Sequence, residues 1–222
     1  MQTYPWPGNT SAAKEMQQKW CKKLNFSPLN TRPSLIAGAD ISCNRFEKTV
    51  YAGIVVLDYA SLDVIERTGV VEEVAFPYIP GYLSFREVPS LMKAWNKLKV
   101  KPTVVMLDGH GVLHPRRMGV ASHFALEAKV ATLGCAKKRL TGDHALVDER
   151  PGQYQPVHLE NKLSGYVLRS RKNANPIYIS PGNRMDCDDA LHIAMHCLKG
   201  YRLPEPTRQA HLYVNELRKS RQ

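Results

Sequence analysis

The chain has 222 residues, of which 43% are hydrophobic, and this is enough apolar material for one sizeable folded domain rather than a disordered chain. Lysine and arginine number 31 against 20 acidic residues, so the formal net charge is +11. Such a surplus favours a polyanionic partner, with nucleic acid ahead of an anionic membrane surface. No stretch approaches the roughly twenty apolar residues that cross a bilayer, and no signal pattern opens the chain, so the sequence predicts a cytoplasmic protein without a membrane partner.

The first half of the chain predicts a helix followed by an antiparallel meander. Prolines and a glycine in residues 1–10 predict a mobile segment, and residues 11–22, with Ser11 as the N-cap, predict a surface helix. Three strand patterns then follow, separated by short polar connections, at residues 34–43, 49–58 and 63–74. Strands joined in this way are expected to pair as an antiparallel meander.

A loop and a helix come next. Residues 76–82 contain two prolines and a glycine, so they predict a shaped loop and not a central strand. Apolar residues at helical spacing follow from Leu83 to Leu98. Pro89 lies near the beginning of this helix, where a proline is expected only in the first turn or after a kink.

The second half has the alternation that is typical of parallel pairing. A buried strand at 104–107, a helix at 119–129 and a strand at 130–135 form a β-α-β unit. Charges, glycine and prolines mark 142–161 as a long surface loop. A further strand pair is predicted at 165–170 and 175–180, and a helix at 188–199, in which Leu191, Met195 and Leu198 face inward. No repeat or linker composition interrupts this order, so residues 1–222 are predicted to form a single domain.

Three acidic residues are candidates for a metal site. Asp40 interrupts the first strand and Asp108 ends the strand at 104–107, so the meander followed by a parallel strand would place them on neighbouring strands. Paired carboxylates bind Mg²⁺ or Mn²⁺, which relieves their mutual repulsion and suits phosphodiester hydrolysis. Taken alone, Asp108 is better explained as the cap of a turn, and for the two aspartates together capping and metal binding are equally good explanations. Glu87, at the start of a helix, is a third carboxylate whose alternative role is to interact with the helix dipole.

Basic residues cluster beyond the ends of the same strands. Arg116 and Arg117 follow the strand that ends at Asp108, and residues 137–139 follow the next strand, with Gly119 and Gly134 close by. Charge runs usually lie on solvated faces, but this position also suits phosphate binding beside a metal site. His192 and His196 have the spacing of helical zinc ligands, yet the residue after His192 is not the glutamate that zinc proteases need, so they are interpreted as helix-face histidines.

Several stretches of this sequence together resemble the endonuclease V family of inosine-directed nucleases. They follow the order of the family and span about residues 34 to 211, and they are Ile36–Asp40, Pro77–Glu87, Asp108–Arg117, Gly119–His123, Gly134–Leu140 and Gly200–Arg208. The resemblance implies an α/β protein with a ribonuclease H-like mixed sheet, in which three antiparallel strands are followed by parallel strands and flanked by helices. It also implies metal-dependent cleavage of DNA that contains deoxyinosine, the product of adenine deamination, by a monomer acting in DNA repair.

The family pattern also implies the details of the reaction. The second phosphodiester bond on the 3′ side of the lesion is expected to be hydrolysed, leaving a 3′-hydroxyl and a 5′-phosphate, with Mg²⁺ as cofactor and Mn²⁺ as a substitute. Asp40, Glu87 and Asp108 match the acidic metal site, and Lys137 matches the lysine beside the scissile phosphate. His211 is expected near the ion or the attacking water, although Asp186, Asp188 and Asp189 are competing acids, of which Asp188 is better explained as an N-cap.

The resemblance further assigns residues to the substrate. A wedge that fills the gap left by a displaced base is expected from Pro77, Tyr78, Ile79, Pro80 and Gly81. A hypoxanthine pocket whose walls are mainly backbone is expected around Gly109, Gly119, Val120, Gly134 and Leu140. Backbone contacts to nucleic acid are expected from Arg116, Arg117 and Lys138, with His114 as a supporting group behind the site.

One position departs from the family pattern, and two functions remain as alternatives. Asn183 occupies a position where many members are expected to have histidine, so any contact made by that ring is in doubt. An inosine-specific endoribonuclease is the first alternative function. A protein that binds altered nucleic acid without cutting it is the second, although such a binder would gain nothing from three acids that face phosphate.

Overall fold

A mixed sheet of eight strands forms the centre of the computed structural model, which describes residues 7–44 and 47–220. The helices are α1 (Thr10–Cys21), α2 (Leu83–Lys97), α3 (Val120–Ala128), α4 (Cys187–His196) and α5 (Glu205–Lys219). The strands are β1 (Leu35–Cys43), β2 (Thr49–Asp58), β3 (Val64–Glu73), β4 (Val104–Leu107), β5 (Ala131–Ala136), β6 (Tyr154–Leu159), β7 (Lys162–Leu168) and β8 (Ile177–Asn183). Residues 1–6 of the predicted mobile segment lie outside the described residues.

The strand order is β3-β2-β1-β4-β5-β8-β7-β6. The predicted meander is confirmed, because β1 pairs antiparallel with β2 and β2 with β3. The predicted parallel unit is also confirmed, because β4 lies between β1 and β5 and runs parallel to both. Beyond β5 the sheet returns to antiparallel pairing through β8, β7 and β6. The parallel strands β1, β4 and β5 therefore lie in the middle of the sheet, and their carboxyl ends share one edge.

Helices cover both faces of the sheet. On one face, α2 and α3 pack through residues such as Leu91 and Phe124 against β1, β2 and β4. On the other face, α4 and α5 pack through residues such as Leu191 and Ala210 against a second apolar cluster. Both faces of the central strands are therefore buried, which explains their nearly continuous apolar sequence.

A track of glycines lets α5 lie directly on the meander. A Cβ atom built on Gly38 would lie 1.8 Å from the carbonyl oxygen of Pro206, and one on Gly53 would lie 2.7 Å from Val214. Gly53 pairs with Gly69 on β3, where a Cβ would lie 2.5 Å from Leu217. Because each of three neighbouring strands has a glycine where α5 crosses it, the helix approaches the sheet closely at these positions.

Four sequence predictions need correction. Residues 142–161 are not a continuous loop, because Tyr154–Leu159 forms β6 against β7; the sparse apolar residues of this edge strand gave little signal. The N-cap of α1 is Asn9, whose side chain accepts the amide hydrogen of Ala12, and not Ser11. Pro89 lies inside α2, beyond its first turn.

The N-cap of α4 also differs from the prediction, and the last helix, α5, was not predicted at all. Asp186 is the N-cap of α4 and accepts the amide hydrogen of Asp189, whereas Asp188 accepts a hydrogen bond from the hydroxyl of Tyr166 at 2.5 Å. The helix α5, which is mostly polar and starts directly after Pro204, was not predicted from the sequence. Among the described residues, no helix is both long and apolar enough to cross a membrane.

The glycine track makes Gly38→Ala a sharp test of how closely α5 packs. We expect this variant to lose about 3 kcal/mol or more of unfolding free energy, because the new methyl group overlaps backbone atoms that cannot rotate away. Urea unfolding measures the loss. Gly8→Ala is the control, since a Cβ at Gly8 has no neighbouring atom within 4 Å. Equal stability of the two variants would contradict the close contact.

Candidate active site

The two aspartates meet where β1 and β4 end. Ala39 pairs with Leu107 in parallel register, and the next residue along each strand is an aspartate, Asp40 or Asp108. The amide of Asp108 donates to the carbonyl of Ala39 at 3.0 Å, which ties the end of β4 to β1. Asp40 is buried, and Asp108 is largely so. The sheet register itself therefore brings two carboxylates together at one edge.

Asp40 is held by α5. Its Oδ1 atom accepts the amide hydrogen of Ile41 at 2.7 Å, and its Oδ2 atom lies 2.8 Å from Nδ1 of His211. The side-chain nitrogen Nδ2 of Asn215 lies 3.2 Å from Nε2 of His211 and also donates to the backbone carbonyl of His211. Because this nitrogen is a donor, Nε2 is the acceptor and Nδ1 carries the proton that is donated to Asp40.

Asp108 is paired with a lysine from the neighbouring strand. Lys137 directly follows β5, and its Nζ atom forms an ion pair with Oδ2 of Asp108. Burial raises the pKa of Asp108, and the nearby charge of Asp40 raises it further, whereas Lys137 lowers it. The site thus combines like charges that repel with a cation that partly compensates them.

Glu87 reaches the same place from the opposite face of the sheet. It lies in the second turn of α2, whose neighbouring residues Phe85, Val88 and Leu91 are buried. Burial raises the pKa of Glu87 to about 8, and the charges of Asp40 and Asp108 add to this effect. In the absence of a cation, this carboxyl group therefore carries a proton at neutral pH.

A cavity of about 230 Å³ joins these side chains. All five residues that sequence analysis named as catalytic line it, namely Asp40, Glu87, Asp108, Lys137 and His211. Apolar residues such as Leu91 and Leu107 close its inner wall. This space, which three carboxylates line, is here termed the acid cavity.

The donor set of the acid cavity fits a divalent cation. Asp40, Asp108 and His211 each offer one ligand atom, and these atoms lie within 4.8 Å of one another. Two oxygen donors and an imidazole suit a small divalent ion, and its charge would reverse the repulsion that raises the carboxyl pKa values. Glu87 lines the same cavity but does not belong to this group of three.

A second cavity, of about 150 Å³, adjoins the acid cavity and is here termed the small pocket. Glu87, Asp108 and Val120 line both spaces. Four of the five residues predicted for a base pocket line it, namely Gly109, Gly119, Val120 and Leu140. Four further residues line it that were not predicted to do so from the sequence, namely Leu83, Ser84, His110 and Met118. Each lies within or next to one of the family motifs, and this was the available signal.

Gly134, the fifth predicted pocket residue, lies beneath the small pocket and does not line it. A Cβ atom on Gly134 would lie 2.4 Å from the carbonyl oxygen of Gly109 and from the amide nitrogen of Gly111. A Cβ on Gly119 would lie 2.1 Å from the carbonyl oxygen of His110. These two glycines therefore let the 109–111 loop pack directly against β5 and the start of α3. The position of the pocket wall at Gly109 and His110 therefore depends on close contact between backbone segments.

The loop formed by Pro77, Tyr78, Ile79, Pro80 and Gly81 lies at the mouth of the small pocket. Gly81 lines the pocket, and the side chain of Tyr78 is 57% exposed. Ile79 packs beside the buried residues Phe76 and Phe85. Ile79 therefore holds the loop against the apolar core, whereas the ring of Tyr78 is exposed to solvent.

The basic residues near the pocket are mostly engaged with the protein itself. Arg116 donates to the carbonyl of Gly81 at 2.6 Å, and Arg117 donates to the carbonyl of Leu159 at 3.2 Å. The side chain of Lys138 is exposed. His114 lies with Nε2 3.0 Å from the carbonyl oxygen of Gly81, and burial lowers its pKa to about 4, so its ring is neutral.

The residues that competed for places in the site have other partners. Asp189 accepts the amide hydrogen of Leu29, and Asp186 and Asp188 are engaged at α4 as described above. His196 lies 2.7 Å from the carbonyl oxygen of Tyr59, so it serves the packing of α4. Asn183 accepts the amide hydrogen of Asn25 at 2.7 Å and lines neither cavity.

The site combines clustered carboxylates with a lysine at the carboxyl ends of parallel strands. This combination is typical of the class of metal-dependent phosphodiester hydrolases. Residues 15–212 match the family model of Endonuclease V. The chain therefore belongs to the endonuclease V family and is an endonuclease.

Solved structures agree with this assignment. The Endonuclease V of Streptomyces avermitilis is 32% identical, with a TM-score of 0.90 over 97% of this chain and 96% of that one. The corresponding Bacillus subtilis structure is 31% identical, with a TM-score of 0.90 over 95% and 92%. Endonuclease V of Ciona intestinalis, 20% identical over 96% and 99% of the two chains, shares the fold with a TM-score of 0.83. That protein was solved in complex with DNA containing an inosine followed by a ribo-adenosine.

The raised pKa of Glu87 makes folding stability depend on pH. Between its ordinary value of 4.5 and about 8, the folded state keeps a proton that the unfolded state has lost, so stability falls as the pH rises. We expect Glu87→Gln to abolish this loss. In a chelator at pH 8 it should exceed the wild-type free energy of unfolding by at least about 1.4 kcal/mol, the equivalent of one pKa unit.

Urea unfolding at several pH values checks this expectation. The gain should shrink towards the pKa of an unfolded glutamate, because both states are then protonated. Glu15→Gln on the exposed face of α1 is the matched control and should change stability by less than about 0.5 kcal/mol. A gain for Glu87→Gln that is the same at acidic and alkaline pH would refute the raised pKa.

Proposed function

We propose that this endonuclease recognises deoxyinosine in DNA and hydrolyses the second phosphodiester bond on its 3′ side, leaving a 3′-hydroxyl and a 5′-phosphate. It acts in DNA repair as a cytoplasmic monomer, with Mg²⁺ as cofactor and Mn²⁺ as a substitute. Family membership and the inosine-containing DNA bound to the Ciona relative support the substrate. The net charge of +11 supports a nucleic acid partner.

The observation that carries the proposal is the shared wall between the two cavities. Glu87, Asp108 and Val120 line both the acid cavity and the small pocket. A base that leaves the helix and enters the small pocket would therefore place its own strand beside the carboxylates. Recognition and cleavage are then coupled by geometry, because the strand positioned for hydrolysis is the one whose base is held.

The small pocket suits a displaced base. Gly109 and Gly119 leave main-chain atoms accessible at its wall, and main-chain donors and acceptors can distinguish a 6-oxo purine from adenine. Leu140 and Val120 supply apolar surface for the faces of the ring. Ser84, which is buried and lines the pocket, offers a hydroxyl group without a partner among the described residues.

The acid cavity supplies the chemistry. Asp40 and Asp108 would hold the divalent ion, with Glu87 completing the set or orienting the attacking water, and His211 near either of them. When bound, such an ion stabilises negative charge on the phosphate oxygens as a Lewis acid. Lys137, the ion-pair partner of Asp108, would stabilise charge on the scissile phosphate.

Asp108 is the residue whose loss should separate this enzyme from a binding protein. We expect Asp108→Asn to lower cleavage of a strand containing one deoxyinosine at least about 100-fold, because a metal ligand and the partner of Lys137 are lost together. Single-turnover assays with Mg²⁺ measure the rate. Asp63→Asn, at an exposed turn, is the control and should cut like wild type.

The same assay decides between the alternative functions. Matched DNA and RNA strands with one inosine, and with adenine in its place, are compared at equal concentration. If the enzyme cuts the RNA strand preferentially, its substrate is inosine-containing RNA and not DNA. Tight binding to inosine strands without product in Mg²⁺ or Mn²⁺ would show a binder instead of an enzyme, and equal rates for Asp108→Asn and wild type would refute the site.

The exposed tip of the 77–81 loop is proposed to act as the wedge. We expect Tyr78→Ala to weaken binding to an inosine-containing duplex about tenfold, because the ring no longer fills the space that the base leaves. Fluorescence anisotropy in Ca²⁺ measures the affinity without cleavage. Tyr154→Ala, a second half-exposed tyrosine on β6, is the control. Equal affinities for the two variants would remove Tyr78 from the interface.

A further inference from the structure

One buried side chain of α1 contacts two of the loops that form the small pocket. Gln17 is fully buried although it is polar and belongs to a helix with an otherwise mostly exposed sequence. Its Nε2 atom donates to the carbonyl oxygen of Gly81 at 3.1 Å and to that of Met118 at 3.4 Å. Its Oε1 atom accepts from Nε of Arg116 at 2.5 Å. Gly81 and Met118 both line the pocket, whereas Gln17 does not.

The carbonyl group of Gly81 is the point on which these contacts converge. It lies within hydrogen-bond distance of Gln17, of His114 at 3.0 Å and of Arg116 at 2.6 Å. Nδ1 of His114 accepts the amide hydrogen of Arg116, so Nε2 carries the ring proton and donates to the carbonyl. Three side chains from two separate parts of the chain thus hold one peptide group.

This peptide group occupies the end of the proposed wedge loop. Gly81 has a φ of +80° and is followed by Tyr82, the N-cap residue of α2. The backbone amide of Tyr82 donates to the carbonyl of Ile79. The guanidinium of Arg116 stacks on the ring of Tyr82 at 4.3 Å from its centroid. Ring contacts of Trp20 with Phe85 and His123 hold α1 itself against α2 and α3.

We propose that Gln17 is a positioning residue that fixes the wedge loop relative to the base pocket, and that α1 thereby contributes to inosine recognition without touching the substrate. The inference rests on the proposed function for its effect on catalysis. Removing the Gln17 amide leaves two carbonyl groups and a guanidinium with fewer partners inside the protein, so the loop becomes more mobile. Gln17 does not line the acid cavity, so we expect the carboxylates there to keep their positions in its absence.

The neighbouring residue offers a matched control. Gln17→Met replaces the buried amide by an apolar side chain of similar length, and Gln18→Met makes the same change at an exposed position of the same helix. Hydrogen exchange of residues 77–82, followed by mass spectrometry well below both melting temperatures, reports the loop directly. We expect exchange to be at least about tenfold faster in Gln17→Met than in Gln18→Met.

Steady-state cleavage of an inosine-containing strand supplies the second readout. Gln17→Met should raise KM about tenfold with a much smaller change in kcat, and Mn²⁺ affinity should equal that of Gln18→Met. Equal exchange in the two variants would overturn the anchor, and faster exchange with an unchanged KM would overturn its role in recognition. If the wild-type protein cuts no inosine strand, the proposed function fails, whereas the exchange experiment still decides whether Gln17 holds the loop.

Discussion

Two carboxylates that share one sheet edge are the constraint around which the site is arranged. Parallel register places Asp40 and Asp108 side by side in a partly buried position, where like charges cost free energy. The surrounding elements each supply a compensating group: α5 brings His211 to Asp40, and β5 brings Lys137 to Asp108. Glu87 approaches from the other face, and burial together with the charges of both aspartates raises its pKa to about 8.

Close backbone packing controls both halves of the site. The glycine track of β1, β2 and β3 allows α5 to lie low enough for His211 to reach Asp40. Gly119 and Gly134 do the same for the 109–111 loop, of which Gly109 and His110 line the small pocket. In both places the absent side chain is what matters, because any Cβ would push a functional backbone segment away.

Much of the fold could be predicted from local pattern. The meander and the β-α-β unit have strong apolar strands and short connections, and the structure confirms both. The two elements that were not predicted, β6 and α5, are mostly polar segments that are stabilised by tertiary contacts. β6 pairs with β7 at the edge of the sheet, and α5 packs against the glycines of β1, β2 and β3. β6 carries little periodic signal, since only Val157 in it is buried, whereas α5 does bury Thr207, Ala210 and Val214 at helical spacing, a signal hidden by its otherwise polar sequence.

The sequence by itself determined the family, the order of the central strands and the identity of the acids at their ends. It did so because turn chemistry and apolar runs are local properties, and because the family motifs are long. Only the tertiary structure decided which residues share a cavity, that Arg116 turns inward to Gly81, and that Gln17 contacts loops that lie 64 and 101 residues further along the chain. These outcomes depend on long-range packing and on the limited space between backbones, which no stretch of sequence specifies alone.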